Sequence, residues 1–558
     1  MNRKKADLRG FLNPVPLSAM AMNRLSSLPP ALLSAPLLGL AALALAAATG
    51  GLSHSFLDPD ESAHYVNTLF VADWLRAGLP SPMPFARDFY AHFPKLSIGH
   101  WPPGWYALLA PLFAMGRPSP FGAAILSAFV AGLPALLIVW AMDRIGAARW
   151  GILAALGYLL LPLVANEARY FRIDQPVALV AGLAAIAWFR AAERPASGRY
   201  LLFGALAAFA ALTKGNGALV ALVPILDILM ARRWRQLADR RLWIAAVATL
   251  LAVAPWYYVS FRISAGGFNY APGPAYAWLS LTTDGAAIVA TLSWPGVTAC
   301  VLGAFLGLRD ARLRPVALLA VSVILATLLF QAAIPVALED RYVLPAIPWL
   351  VVLGAIGVVA SFRIHRAIAL VPGLLIGSAL VPAIAALIQQ TPKPDIGAPA
   401  IAERMRATPG IWLVDGRAGG EGAVIAEAAY ADGGHRAIWA ARASQWLSTS
   451  DFMGRGYQLS VHSPAGAREV LDRLGVRGVA SIAEKDQLAY PHGAILREAI
   501  GAPGFVETEQ QFARGAGSSL IAVRTVPLAP HPDLLASGSG SAGVASMATT
   551  FSTRPPER

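Results

Sequence analysis

Hydrophobic and polar residues come in blocks along this chain. Long apolar runs begin at Ala31 and recur to about residue 388, separated by short polar loops. A run of about 20 apolar residues crosses the hydrocarbon core of a bilayer. On that measure about eleven candidate spans lie near 31–52, 119–141, 147–165, 174–190, 199–213, 215–231, 242–260, 284–307, 315–335, 342–361 and 367–388. Several are short and rich in Ala, Gly and Pro, which helices packed inside a bundle tolerate. The pattern predicts a polytopic α-helical membrane protein.

Two further regions depart from the block pattern. The first, 53–118, is a long loop holding an amphipathic segment, Tyr65 to Gly78. Its apolar positions Val66, Leu69, Phe70, Trp74 and Leu75 recur at helical spacing, which predicts a helix lying on the membrane surface. His100-Trp101-Pro102-Pro103-Gly104-Trp105-Tyr106 then opens an apolar stretch, 105–115, too short to span and read as interfacial or re-entrant. The second region begins after about residue 390. Strand-like 411–416 and 478–482, with helical 465–474 between them, predict an α/β domain over 395–528. The last segment, 529–558, is rich in Ser, Gly, Ala and Pro and reads as disordered.

Charge orients the spans. With 56% hydrophobic and 14% charged residues, against roughly 25% charged in soluble domains, the net charge of +13 reads as topology signal and not as nucleic-acid binding. Arg144 and Arg149, then Arg190, Arg194 and Arg199, then Arg232, Arg233, Arg235, Arg240 and Arg241, then Arg309, Arg312 and Arg314, then Arg363 and Arg366 fall on alternate loops. The positive-inside rule makes that face cytoplasmic, with segment 1–30, and an odd number of spans puts the C-terminal domain outside. The apolar run after Arg3, Lys4 and Lys5 is nearer transmembrane than signal-peptide length and is read as an uncleaved first helix. The one cysteine, Cys300, lies in an apolar run, which excludes an intramolecular disulfide.

Four polar clusters fall on the outer face: Asp58, Asp60 and Glu61; Asn166 to Pro176, with Glu167, Arg169, Arg172 and Asp174; Thr213-Lys214-Gly215-Asn216-Gly217; and Glu339-Asp340-Arg341-Tyr342. Ionisable residues at the edge of a membrane bundle are costly, and their default reading is functional. A carboxylate serves as general base toward an acceptor hydroxyl or amine, while fixed Arg and Lys hold a phosphate and the charge that grows on it as it leaves. Glycosyl transfer from a lipid-phosphate-linked sugar needs both and no nucleotide-binding domain; no Gly-rich phosphate loop following a strand is read in the sequence.

At these residues the chain resembles the GT-C glycosyltransferases, in the branch of the protein O-mannosyltransferases and lipid A aminoarabinose transferases. Asp60-Glu61 with Tyr65 looks like the family's acidic motif in the first periplasmic loop, and Pro102-Pro103-Gly104-Trp105-Tyr106 like its Pro-containing segment. Arg172-Ile173-Asp174-Gln175-Pro176 resembles its second acidic site, Leu212-Thr213-Lys214-Gly215 its Thr-Lys-Gly turn, and Arg341-Tyr342-Val343-Leu344-Pro345 its Arg-Tyr-x-x-Pro segment. The pieces cover roughly 30–390 in order. The resemblance implies Asp60 as catalytic carboxylate, Asp174 as a second essential acid, and Lys214, Arg172 and Arg341 as phosphate contacts. It also implies a polyprenyl-phosphate sugar donor, a lipid, glycan or protein acceptor, inversion at the anomeric carbon, and a bacterial inner (plasma) membrane with the active site and 395–528 on the periplasmic side. One departure concerns the donor phosphate: the family often has a lysine just before the Pro segment, where this chain has His100 and Trp101, so Lys95 or His100 is the substitute considered.

The candidate catalytic set is therefore Asp60, Glu61 and Asp174, and the substrate contacts are Arg169, Arg172, Lys214, Arg341, Tyr65 and His100. Structural readings stand beside these. Asp58 serves as a turn residue before Pro59, Asp60 as a helix N-cap, Arg169, Arg172 and Asp174 as a loop-anchoring ion cluster, and Lys214 as a snorkelling anchor. His64, His92 and His100 lack zinc-ligand spacing; a divalent cation (Mg or Mn) bridging acid and phosphate is the one cofactor considered. Trp256-Tyr257-Tyr258 reads as an interfacial belt and Gly266 to Tyr270 as a lid over the site. The rival reading is a transporter or flippase of lipid-linked sugars. That would spread polar groups through the membrane depth and show an internal repeat, and neither is seen. A membrane-anchored receptor accounts for the outer domain but not for the polar loops of the bundle. Sugar and acceptor identity are not encoded in any motif.

Overall fold

The structure is a computed structural model and describes residues 30–451, 454–484, 490–511 and 517–536. The predicted cytoplasmic segment 1–30 falls, except for Pro30, outside the described residues. Among these residues eight helices are long and apolar enough to cross a membrane: Pro30–Ala48, Pro120–Arg144, Asp174–Glu193, Arg240–Ala265, Pro274–Arg309, Arg314–Ala333, Ile347–Ile364 and Leu370–Ile388. The chain is a multi-pass helical membrane protein. The other three of the eleven predicted spans are shorter or broken, each for a local reason. Pro162 divides 147–165 into Ala148–Leu159 and Pro162–Glu167, because proline cannot donate within a helix. Ser197–Thr213 has 17 residues, about 26 Å at 1.5 Å per residue. In 215–231 the Gly-Asn-Gly start forms a 3-10 turn, Gly215–Ala221, before the helix Leu222–Ala231.

The longest helix, Pro274–Arg309, kinks at Ser293 (φ 56°), two residues before Pro295. Its C-terminal half packs tightly on Ile347–Ile364: a side chain on Gly303 would collide with the Leu353 carbonyl, so only glycine lets the two backbones come this close.

Three helices of the first loop, Pro59–Arg76, Pro82–His92 and Gly104–Gly116, cap one end of the bundle. The amphipathic segment does not lie on a membrane surface. Pro59–Arg76 is buried on nearly every side, including Glu61, His64, Asn67 and Asp73. Its apolar face joins Phe89, Phe93, Tyr106 and Phe113 in one core. Its polar face is covered as well, because partners meet it: Asn67 Oδ1 accepts from Ser97 N at 2.8 Å and Asp73 pairs with Arg117 at 2.6 Å. Gly104–Gly116 packs between this helix and Ser197–Thr213.

The C-terminal region is an α/β layer. Its strands are β1 (Gly410–Asp415), β2 (Ile438–Arg442), β3 (Ser448–Thr449), β4 (Gln458–Leu459), β5 (Gly478–Glu484), β6 (Phe505–Gln511) and β7 (Gly517–Arg524). The main sheet runs β2-β1-β5-β7-β6, with β1 parallel to β2 and β5, and β7 antiparallel to β5 and β6. Side chains alternate across β1. Ile411 and Leu413 enter a core with Leu471, Val479 and Leu496, whereas Trp412 and Val414 enter the core that holds Tyr65, Phe89 and Tyr106. One face of the sheet is thus continuous with the helices of the first loop. The expected disorder of 529–558 gives way at its start: Pro532–Ala536 is a short helix, and His531 N donates to Leu474 O at 3.1 Å. Residues 537–558 lie outside the described residues.

Candidate active site

The site begins with a helix start. Asp58, in extended backbone, caps Pro59–Arg76: its Oδ1 accepts from the backbone N–H of Asp60 at 3.0 Å and of Glu61 at 3.3 Å, and Pro59 occupies the first helical position. The cap is therefore Asp58 and not Asp60. Relieved of capping, Asp60 turns to Arg341, whose Nη2 lies 2.6 Å from its Oδ2. Arg341 comes from the 3-10 turn Asp340–Val343 that leads into Ile347–Ile364, and the same Nη2 also reaches Glu339 at 2.5 Å.

A second pair forms between Asp174, the first residue of Asp174–Glu193, and Lys214, which ends Ser197–Thr213: Nζ to Oδ1 is 2.5 Å. Lys214 Nζ and the Arg341 guanidinium lie 4.8 and 5.8 Å from the Tyr342 ring, one cation–π surface for both. The third node is Arg172. It binds Asp58 in a fork (Nη2–Oδ2 2.6 Å, Nε–Oδ1 3.1 Å), gives Nη1 to Glu167 at 2.8 Å, and stacks 4.2 Å from the Tyr170 ring.

Four stretches distant in sequence therefore meet at one end of the bundle. The pairs Arg144–Glu193 and Arg363–Asp310 lie at the other end.

Several polar atoms of this basin have no partner among the described residues: Arg341 Nε and Nη1, Asp174 Oδ2 and Glu167 Oε2, all buried. Buried polar groups left unpaired are costly, and here they surround fixed cations. Burial pushes the Asp60 carboxyl up, but Arg341 and then the other cations outweigh it and hold it well below the usual carboxylate range. Asp60 is therefore ionised at any working pH. Burial pushes Glu167 up to about 7, against the pull of Arg172.

Not every predicted residue joins this basin. Glu61 is fully buried and tied to Lys393 (Nζ–Oε1 2.8 Å, Nζ–Oε2 2.9 Å) and to the backbone N–H of Phe171 at 2.9 Å, contacts that anchor the loop. Arg169 donates from Nη2 to the Thr391 carbonyl at 2.5 Å and lies against Gly51. Tyr65 sits in the core and donates its hydroxyl to Pro118 O at 2.7 Å. All three point into the fold because the partners that satisfy them come from distant segments.

His100 lies edge-on to Trp101 (4.9 Å, 85°), and burial lowers its pKa despite Asp60, so it meets the site as a neutral ring and not as the missing cation. Lys95 does not fill that role either: its Nζ donates to Ala418 O at 3.3 Å in the C-terminal region. The Gly266–Tyr270 loop receives Arg455 from that region at Gly266 O (3.0 Å) and Asn269 Oδ1 (3.2 Å).

Sequence reasoning missed Lys393, a single lysine between two prolines with no periodic signal around it, and weighed His64 only as a metal ligand, whereas the structure holds it against Tyr106 OH at 2.7 Å beside Trp101. Among the described residues no group of three or more His, Cys, Asp or Glu is placed to hold a metal ion. Asp60, Asp174, Asp58 and Glu167 each face an Arg or Lys.

The chain has informative relatives in fold. The sequence profile of the dolichyl-phosphate-mannose-protein mannosyltransferase family matches residues 101–259. No curated protein matches the chain in sequence. The structure resembles ArnT from Cupriavidus metallidurans bound to undecaprenyl phosphate, with TM-score 0.53 and 16% identity over 89% of this chain and 99% of that one. The apo state of the same protein gives 0.52 and 16% over 86% and 97%. Archaeal oligosaccharyltransferase AglB from Archaeoglobus fulgidus, in complex with an inhibitory peptide and a dolichol-phosphate, gives 0.50 and 12% over 89% and 75%. At such identities the likeness is one of fold.

Proposed function

We propose that this chain, which belongs by fold to the GT-C glycosyltransferase superfamily, transfers a monosaccharide from a polyprenyl-phosphate donor to an acceptor hydroxyl or amine. The single observation that carries the reading is the Asp60–Arg341 pair at 2.6 Å, with Lys214–Asp174 beside it at the same end of the bundle. An ionised carboxylate and fixed cations meet at one end of the bundle, where this reading puts the lipid headgroup. Lipid phosphates bound to two proteins of this fold, ArnT and AglB, support the same chemistry here.

In this reading the unpaired Nε and Nη1 of Arg341, with Lys214, take the donor phosphate and stabilise the charge it gains as the glycosidic bond breaks. Asp60 accepts the proton of the attacking acceptor. Attack opposite the departing phosphate inverts the anomeric carbon. The sugar has to lie between base and leaving group, so the Asp60–Arg341 contact opens as the donor enters. Strong ion pairing makes Asp60 a weak base while Arg341 holds it; a phosphate that engages Arg341 frees the carboxylate and strengthens it as a base. No step runs through a metal, and activity is expected to survive chelation by EDTA.

We place the site on the periplasmic face of a bacterial inner membrane, with the donor in the outer leaflet. The acceptor in this proposal is a lipid, glycan or protein on that face.

The test is transfer from radiolabelled undecaprenyl-phosphate sugars by reconstituted protein. Asp60→Asn is expected to lose 10²- to 10⁴-fold of the rate, roughly the worth of a general base, while still binding undecaprenyl phosphate. Full activity in that variant would remove Asp60 from the mechanism. Sidedness is open to a direct check because the only native cysteine, Cys300, is buried: a cysteine introduced at exposed Ala271 should react with an impermeant thiol reagent from outside, and one at Ala196 should not.

A further inference from the structure

Helical serines and threonines in this bundle commonly turn their hydroxyls back onto the carbonyl four residues earlier: Thr213 onto Phe209, Thr249 onto Ala245, Thr291 onto Ala287, Ser322 onto Leu318 and Thr327 onto Val323. Ser260, on Arg240–Ala265, does not. It is fully buried, and its Oγ has no partner among the described residues.

Its neighbours on the helix fix where it lies. Three residues earlier, Tyr257 donates to Ala211 O at 2.9 Å and rests against Gly215. Four residues later, Ser264 Oγ donates to Gly99 O at 3.1 Å, and Ile263 packs on the same glycine. Positions 257, 260 and 264 follow one helical stripe. Ser260 therefore falls between the Thr213–Gly217 turn and the Gly99–His100 loop. In that turn Asn216 stands two residues from Lys214, and both atoms of its amide are buried without a partner among the described residues.

Native proteins hold few such groups, and each calls for an explanation. The stripe around Ser260 (Trp256, Tyr257, Ile263, Ser264) carries no charge, so this seam is not built for a phosphate. A hydroxyl that donates and accepts, and an amide that does both, match a neutral polyhydroxylated ligand.

We propose that this seam is the donor's sugar subsite, with Ser260 and Asn216 hydrogen-bonding ring hydroxyls of the glycosyl group between Lys214 and the His100–Trp101 pair. This rests on the glycosyl-transfer reading and adds to it the residues that read the sugar. It also orders the site: phosphate at Arg341 and Lys214, sugar toward helix Arg240–Ala265, and Asp60 on the far side of the anomeric carbon.

Two probes separate this subsite from the reading it rests on: bare undecaprenyl phosphate, and the undecaprenyl-phosphate sugar that the wild-type protein turns over. In Ser260→Ala and Asn216→Ala, affinity for the bare lipid phosphate is expected to stay at the wild-type value, which also reports that the variants are folded. Affinity for the sugar-charged lipid should fall roughly three- to tenfold, the worth of one hydrogen bond. A deoxy donor lacking the partner hydroxyl should bind wild type and variant alike. Equal weakening of both lipids would assign the two residues to the shape of the turn and overturn the subsite, as would no weakening of either. Failure of the wild-type protein to bind bare undecaprenyl phosphate would sink the glycosyl-transfer reading itself.

Discussion

Asp58 and Asp60 are two residues apart and serve the site differently. Asp58 points back to cap its helix and forward to fork onto Arg172; Asp60 faces Arg341. Both are acidic residues at the same helix start, so composition cannot separate them; the backbone can, since only the residue before the first helical turn can cap it. Glu167 is the titrating member of the group. Near pH 7 it takes up a proton, because burial raises it and Arg172 only partly compensates. Protonation removes one negative charge from the basin, so phosphate binding should strengthen as pH falls through 7. We expect undecaprenyl phosphate affinity, measured from pH 8 to 6, to rise by a few-fold more in wild type than in Glu167→Gln, which already binds tightly at pH 8. The lipid's own ionisation is common to both proteins and cancels in the comparison.

At the scale of elements, the helix Pro59–Arg76 carries the site and is itself held by distant partners. Glu61 is the clearest case: Lys393, from the linker after the last membrane helix, reaches back to it and also donates to Arg169 O at 3.1 Å. A buried ion pair is weak evidence for net stability, yet removing one partner strands the other charge and costs about 3–5 kcal/mol. Lys393→Met should therefore lower the thermal midpoint in detergent sharply. Lys393→Met combined with Glu61→Gln should recover most of the loss, because neither charge is then left alone. Equal losses in the single and double variants would mean that the lysine contributes by packing and not by charge.

At the scale of the whole molecule, the C-terminal sheet is part of the frame of the site. Its helix Ala418–Ala431 packs on Pro59–Arg76, and a side chain at Gly419 would collide with the Leu57 carbonyl, just before the acidic loop. Glu427 lies in this interface, 3% exposed, and burial followed by Asp395 pushes it up to about 8. A carboxyl raised in the folded state binds its proton more tightly there than in the unfolded chain. Stability is then highest below the unfolded value near 4.5 and falls as pH rises toward 8, above which it levels. Glu427→Gln should flatten the melting profile between pH 5 and 8 and raise the midpoint most at pH 8. A variant whose profile keeps the wild-type slope would place the titration elsewhere.

The division between sequence and structure runs along the range of the interactions. Apolar run length, arginine-bearing loops and the order of the polar motifs are properties of contiguous segments. They marked a polytopic bundle, and they singled out Asp60, Asp174, Lys214 and Arg341, which the fold brings to one end. Breaks at Pro162 and at the Gly-Asn-Gly turn were visible as residues but not as shortened spans, since span length depends on how far neighbours extend a helix. Tyr65, Arg169 and Glu61 share motifs with the site yet turn into the core, and Lys393 joins them from a segment more than 330 residues away from Glu61. Side-chain direction at a helix start, and the partner that neutralises a buried charge, are fixed only when distant elements pack. The sequence by itself therefore determined a polytopic bundle and which polar residues gather at one end of it. Tertiary structure alone decided which carboxylate faces the cations, which are spent on holding the loop, and which hydroxyl and amide remain without partners for a ligand to meet.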